Sequence, residues 1–290
     1  MLHTRTGSFP IGFRRGWSSW QQDLDGLLTW AQANQFGVID LGGDADVSGE
    51  KVAAAGLKIG SADLKNWSGF ISADENDLAT AIAENAAYIP AAVKHGATNF
   101  FTVMLPKDPS KPRAENFELM VAGLKELAKI LEASNAKLVI EGWPGAGALC
   151  CTPETYRAAI DQVGSSSIGI NYDPSHLIRL GVDPIRFLHE FKDHVYHVHG
   201  KDTERYAELV YELGIEQPAA FAKGHDFGTP TWRYTIPGHG EMRWTTAFEI
   251  LSKNGYKGAV SIELEDENFN GSEAGEKLGL TASGSFLAAA

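Results

Sequence analysis

The chain has 290 residues, 43% of them hydrophobic, and 25 lysines and arginines against 37 aspartates and glutamates, for a net charge of −12. This composition can bury a substantial core and is not that of a disordered chain. It lacks the basic balance that a nucleic-acid partner requires, and no window is apolar over enough residues to span a membrane. Cys150 and Cys151 are adjacent and cannot staple a fold of this size, which suits free thiols in a reducing compartment. The opening residues MLHTRTGSFPIGF carry no apolar stretch of the length a secretory signal needs. A cytoplasmic protein is expected.

In chain order, Leu24, Leu27, Leu28 and Ala31 recur at helical spacing, and FGVIDLG (Phe36 to Gly42) is the first clear strand. LKIGSAD (Leu57 to Asp63) and NFFTVML (Asn99 to Leu105) follow as strands, then a helix marked by Phe117, Met120, Leu124, Leu127 and Leu131. KLVIEGW (Lys137 to Trp143) is the next strand. Thr152 before Pro153 opens a helix, as does Asp183 before Pro184, each pairing an N-cap with a proline at the first helical position. IGINYD (Ile168 to Asp173), VYHVHG (Val195 to Gly200) and AVSIELE (Ala259 to Glu265) complete the main strands, with TWRYTI (Thr231 to Ile236) a weaker one. Gly96, Gly164 and Gly255 stand where helices should end.

Strand and helix in alternation mean a parallel sheet with crossover helices, and roughly eight such units in a chain of this length fit an α/β fold of the (β/α)8 TIM-barrel type. No glycine-rich Gly-x-Gly-x-x-Gly follows an early strand, which removes the main cue for a dinucleotide-binding sheet. Residues 1–290 read as a single domain. The stretch from about 203 to 230 is long for a connection and is expected to form a lid or an interface insert, with a second copy or a second subunit as the partner in the latter case.

Alternation along the strands separates an apolar face from a polar one. In KLVIE, Lys137, Val139 and Glu141 share a side; in IGINYD, Gly169, Asn171 and Asp173; in VYHVHG, Val195, His197 and His199; in AVSIELE, Ser261, Glu263 and Glu265. With the apolar side on the helices, the inner face of each of these strands carries Glu141, Asp173, His199 or Glu263 at its carboxyl end, where barrel enzymes do their chemistry. Three converging carboxylates repel one another and lose hydration. A divalent cation relieves both costs. One imidazole with three carboxylates is an oxygen-rich set that suits Mn²⁺ first, with Mg²⁺ and Co²⁺ as alternatives. His197, one inward step below His199, reads as a packing or supporting residue.

These same residues carry a family resemblance. EGWP from Glu141, NYDPSHL (Asn171 to Leu177), HVHGKDTER (His197 to Arg205), IPGHGEMRW (Ile236 to Trp244) and SIELED (Ser261 to Asp266) resemble the sugar phosphate isomerase/epimerase family, with its xylose-isomerase-like TIM barrel. That family includes ketose 3-epimerases, inosose dehydratases and hydroxypyruvate isomerases. The resemblance runs from about Gly37 to Asp266. It implies Glu141, Asp173, His199 and Glu263 as metal ligands, with Glu141 and Glu263 also moving protons, and His176 and Arg205 as substrate contacts. The chain departs from relatives that carry a polar run after the first metal-binding glutamate: here Gly142-Trp143-Pro144 follows, and Trp143 could stack on a sugar face or plug the barrel mouth. Lys201 is a candidate substrate contact or a partner for Asp202 or Glu265.

The implied reaction is proton transfer beside a ketone, through an enediolate, on a sugar substrate. An isomerase or epimerase returns the proton. A lyase, either a dehydratase or a C-glycoside-cleaving enzyme, expels a β-substituent after the same first step. The aromatic residues of the insert, Tyr206, Tyr211, Phe221, Phe227 and Trp232, suit a bulky leaving group, a dimer interface or simple packing. Pro237-Gly238-His239-Gly240 could offer backbone donors to a phosphate, although no glycine-rich phosphate cradle is evident late in the chain.

Overall fold

The computed structural model describes residues 1–290. Its strands are β1 (Ile11–Arg14), β2 (Val38–Leu41), β3 (Lys58–Asp63), β4 (Asn99–Val103), β5 (Lys137–Glu141), β6 (Ile168–Tyr172), β7 (Val195–Gly200), β8 (Asp202–Arg205), β9 (Gly228–Thr229), β10 (Trp232–Thr235) and β11 (Val260–Ile262). Between them run α1 (Ser19–Gln22), α2 (Leu24–Ala33), α3 (Ala45–Ala54), α4 (Glu75–Val93), α5 (Arg113–Ala133), α6 (Pro153–Val163), α7 (Pro174–Arg179), α8 (Pro184–Phe191), α9 (Ala207–Leu213), α10 (Trp244–Lys253) and α11 (Glu273–Ala289). Strands β1 to β7 and β11 form a closed barrel in the order β1-β11-β7-β6-β5-β4-β3-β2, and β8, β10 and β9 form a separate three-stranded sheet. The TIM-barrel fold expected from the strand–helix alternation is therefore observed.

Two strands differ from the expectation. The first barrel strand is Ile11–Arg14, which lies before FGVIDLG. It is four residues long and follows Pro10, so it offers too little alternation to be recognised from pattern. TWRYTI does form a strand, but it pairs antiparallel with β8 and β9 outside the barrel. Glu141 thus ends the fifth barrel strand, where counting from FGVIDLG made it the fourth.

The chain packs as two compact units. One comprises Met1–Gly37, Asp173–Glu190 and His199–Ala290; the other comprises Val38–Tyr172 and Phe191–Val198. In the second unit the strands run parallel, with Leu138 paired to Ile168 and Glu141 to Asn171. Helix α5 buries Met120, Leu124, Leu127 and Leu131, four of the five residues whose spacing marked it. Thr152 and Thr155 form a capping box that brackets Pro153 at the start of α6. Asp40 and His197 are fully buried and paired, Nε2 to Oδ2, at 2.8 Å. Gly60 gives them room: a Cβ there would stand 2.3 Å from Asp40 Oδ1 and 2.9 Å from His197 Cε1. Cys150 and Cys151 are buried and form no disulfide.

In the first unit β1 and β11 pair in parallel, Ile11 with Val260 and Phe13 with Ile262. The segment that follows β1 is tied to α11 by one carboxylate: Glu276 Oε2 accepts from Ser18 Oγ at 2.6 Å, Trp20 Nε1 at 2.6 Å and Gln21 Nε2 at 2.9 Å. Burial opposes ionisation of Glu276, but these donors outweigh it and hold its pKa below the ordinary glutamate value. Glu276→Ala is expected to cost about 1–3 kcal/mol at neutral pH by leaving three donors unsatisfied, read as a lowered urea midpoint. Because the folded pKa is depressed, this stabilisation is present above pH 4.5 and is lost as pH falls through the folded value. The gap between parent and variant should close on acidification, and a gap independent of pH would refute the assignment.

No helix is long and apolar enough to cross a membrane.

Candidate metal centre and active site

Strand β6 runs directly into Asp173, which caps α7 and is followed by Pro174 at the first helical position. Capping uses only one of its carboxylate oxygens: Oδ1 accepts from Ser175 N at 2.8 Å and Ser175 Oγ at 2.6 Å. The other, Oδ2, is buried and accepts no hydrogen bond. It faces Lys201 Nζ at 3.3 Å and His176 Nε2 at 3.5 Å. Helix α7 thus sets two candidate residues, Asp173 and His176, three positions apart at one strand end.

From β7 comes His199, buried, with Nδ1 3.5 Å from Glu263 Oε2. Lys201 follows between β7 and β8. Its side chain is 1% exposed, and its ammonium pairs closely with Glu263, with Glu265 at 2.9 Å, and lies 4.6 Å above the Tyr234 ring. Pairing with Glu265 was one expected outcome; Asp202, the other expected partner, is engaged elsewhere. Glu263, just past β11, also has Arg14 Nε at 3.4 Å. Burial alone would push the Glu263 carboxyl up, but Lys201, His199 and Arg14 outweigh it and hold it ionised, well below the usual glutamate range. Asp173, His176 and Glu263 each bring a ligand-type atom within 4.8 Å of the others. Beside them lies a cavity of about 370 Å³ whose walls include Arg14, Trp17, Gln21, Phe227, Glu263 and Glu265.

Glu141 belongs to the other unit. It is buried at the end of β5, and its Oε2 accepts from Asn171 Nδ2 at 2.7 Å. Asn171 is its register partner on β6, two residues before Asp173 in the chain. Trp143 is partly exposed and lays its ring on Gly145, where a Cβ would stand 1.8 Å from it. Arg205 does not join the cluster described above: its guanidinium forms a forked pair with Glu241 at the surface, Nε to Oε1 at 3.0 Å and Nη2 to Oε2 at 2.6 Å.

The IPGHGEMRW loop is organised around Asp202. This buried carboxylate accepts from Thr203 N and Met242 N at 2.9 Å, Trp244 Nε1 at 3.2 Å and Gly238 N at 3.3 Å. His239 N and Glu241 N bond to Ile236 O and Thr203 O. The amides considered as a phosphate cradle are therefore largely committed within the protein.

Three participants escaped the sequence reading. Arg14 sits on the strand that pattern did not reveal. Tyr234 and Arg179 come from β10 and α7, and neither position distinguishes itself in sequence. An Arg at the end of an apolar run, IGFR, is the one local signal that could have drawn attention.

A family model described as a xylose isomerase-like TIM barrel matches residues 26–284. The chain belongs to that family. An inosose dehydratase from Clostridium tetani (strain Massachusetts / E88) is 28% identical over 153 residues, covering 53% of this chain and 48% of that protein. The chain spans about half the length of the curated relatives it matches. Among solved structures, the apo form of the 3-keto-D-glucoside 4-epimerase YcjR from E. coli superimposes with a TM-score of 0.70 at 14% identity, covering 96% of this chain and 98% of that one. IolI protein with a bound zinc atom gives a TM-score of 0.70 at 18% identity, with the same coverage. These likenesses place the fold among proteins that include sugar-modifying enzymes.

Proposed function

We propose that the protein is a divalent-metal-dependent sugar isomerase or epimerase that transfers a proton at the carbon beside a ketone. The observation that carries this reading is the buried Oδ2 of Asp173, which accepts no hydrogen bond, faces Lys201 and His176, and lies in one cluster of ligand-type atoms with Glu263. A buried carboxylate oxygen without a hydrogen bond is costly, and an oxygen-rich set with one imidazole fits a hard or borderline dication. Asp173, His199 and Glu263, with Glu141 as the fourth, are the proposed ligands, and Mn²⁺ the preferred ion over Mg²⁺ or Co²⁺. The bound ion would supply electrophilic stabilisation of negative charge on the ketone oxygen.

The chain's own groups perform the proton transfers. Glu263 is held ionised, so a carboxylate oxygen is ready to accept the proton. Epimerisation needs a second acid–base group to return it from the other face, and Glu141 takes that part. His176 orients a substrate hydroxyl, Lys201 keeps Glu263 charged, and Trp143 offers an aromatic face. Arg205 would reach substrate only by leaving Glu241. The stretch 203–230 would act as a lid or an interface between copies.

The dehydratase relative favours a second reading, in which the same deprotonation ends in β-elimination of water or an aglycone. Incubation of Mn²⁺-loaded protein with ketoses and 3-keto glycosides in heavy water separates the two. Deuterium in recovered sugar without elimination is expected. Release of water or aglycone would transfer the assignment to a lyase, and no exchange or turnover across the panel would overturn both.

A further inference from the structure

We propose that Tyr234 and Arg179 are positioning residues that hold His176 in the tautomer with its proton on Nε2, so that His176 acts as a hydrogen-bond donor and not as a metal ligand. Donor and acceptor capacity leaves one consistent arrangement. A guanidinium only donates, and Arg179 Nη1 lies 2.8 Å from the Tyr234 hydroxyl, so the phenolic oxygen accepts there. The same hydroxyl stands 2.6 Å from His176 Nδ1. Burial raises the Tyr234 pKa, outweighing Lys201 and Arg179, so the phenol keeps its proton. That proton has Nδ1 as its acceptor, because Arg179 cannot take it. A neutral imidazole that accepts at Nδ1 carries its hydrogen on Nε2.

Nε2 in turn faces Asp173 Oδ2 at 3.5 Å, the buried oxygen that accepts no hydrogen bond. In the reverse tautomer the imidazole and the guanidinium would both aim donors at one phenolic oxygen, and a buried hydroxyl hydrogen would face no acceptor. Lys201 Nζ also lies 3.5 Å from Nε2, but Glu263 and Glu265 are nearer acceptors for its protons. The relay is held by packing. The Arg179 guanidinium lies 4.3 Å over the Trp232 ring, and the Tyr234 and His176 rings meet edge to face at 5.3 Å. Strand β10, outside the barrel, thereby sets the chemistry of a residue on α7.

The consequence for catalysis, an Nε2–H offered to a substrate oxygen with His199 left as the imidazole ligand, rests on the proton-transfer reading above; the tautomer does not. Two-bond ¹H–¹⁵N correlation spectra of the full chain labelled with ¹⁵N-histidine, with His176 assigned by its loss in His176→Gln, test the tautomer directly. A protonated Nε2 with an unprotonated Nδ1 is expected, and Tyr234→Phe should shift the Nδ1 signal while circular dichroism stays native. A protonated Nδ1 in the parent, or spectra unmoved by Tyr234→Phe, would overturn the proposal. His176→Gln should also retain Mn²⁺ on dialysis, and loss of the ion would overturn the donor role. Failure of deuterium exchange with an intact Nε2–H pattern would count against the enzymatic reading alone.

Discussion

Glu263→Gln is expected to lower turnover by about 10²–10⁴-fold, the range for loss of a positioned acid–base group, and to deplete bound metal on dialysis. Asp173→Asn should deplete the metal as well. The amide substitution keeps size and shape but removes the charge that opposes a cation. In Asp173 it also leaves one oxygen to serve both the α7 cap, which Ser175 N and Oγ now occupy at Oδ1, and the ion. Glu265→Gln is the matched control, since Glu265 pairs with Lys201 at 2.9 Å but is not among the proposed ligands. Metal analysis beside initial rates checks all three. If the Glu263 and Asp173 variants retained both metal and activity, the proposed centre would be wrong.

Lys201→Met should destabilise the metal-free protein by about 3–5 kcal/mol, the usual range when one partner of a buried ion pair is removed. Lys201 is 1% exposed and faces Asp173, Glu263 and Glu265, so its removal leaves negative charge uncompensated in a poorly hydrated place. Methionine preserves the unbranched stem, which keeps the packing loss small. A dication bound by the same carboxylates would restore the balance. Added Mn²⁺ should therefore raise the denaturant midpoint of the variant by more than it raises that of the parent. An unaltered metal-free midpoint, or equal responses to Mn²⁺, would show that the ammonium is not what holds these carboxylates together.

Strands such as KLVIE and IGINY were legible because residues of one face, Leu138 and Ile140 or Ile168, Ile170 and Tyr172, alternate with those of the other at the strand period of two. Ile11–Arg14 was missed for the opposite reason: four residues after a proline give neither length nor alternation. TWRYT read correctly as a strand but not as to its sheet, since a pairing partner is a tertiary choice that local propensity does not encode. At the candidate site, strand parity singled out Glu141, Asp173, His199 and Glu263; in the structure His199 lies 3.5 Å from Glu263, and Lys201 faces both Glu263 and Asp173. Parity works there because a strand's period of two leaves each side chain only one alternative direction. Arg205 shows where this stops. It lies beyond the barrel strand, on β8, where the direction of a side chain depends on neighbours such as Glu241.

Composition, periodicity and the order of the acidic strand ends were sufficient to determine a barrel with acidic residues at its strand ends, because they depend on backbone geometry that repeats from residue to residue. The Arg179–Tyr234–His176 relay, the burial of Lys201 among carboxylates and the commitment of the glycine loop to Asp202 were decided only by the tertiary structure. Each joins groups tens of residues apart through distances and hydrogen directions, and no local pattern carries that information.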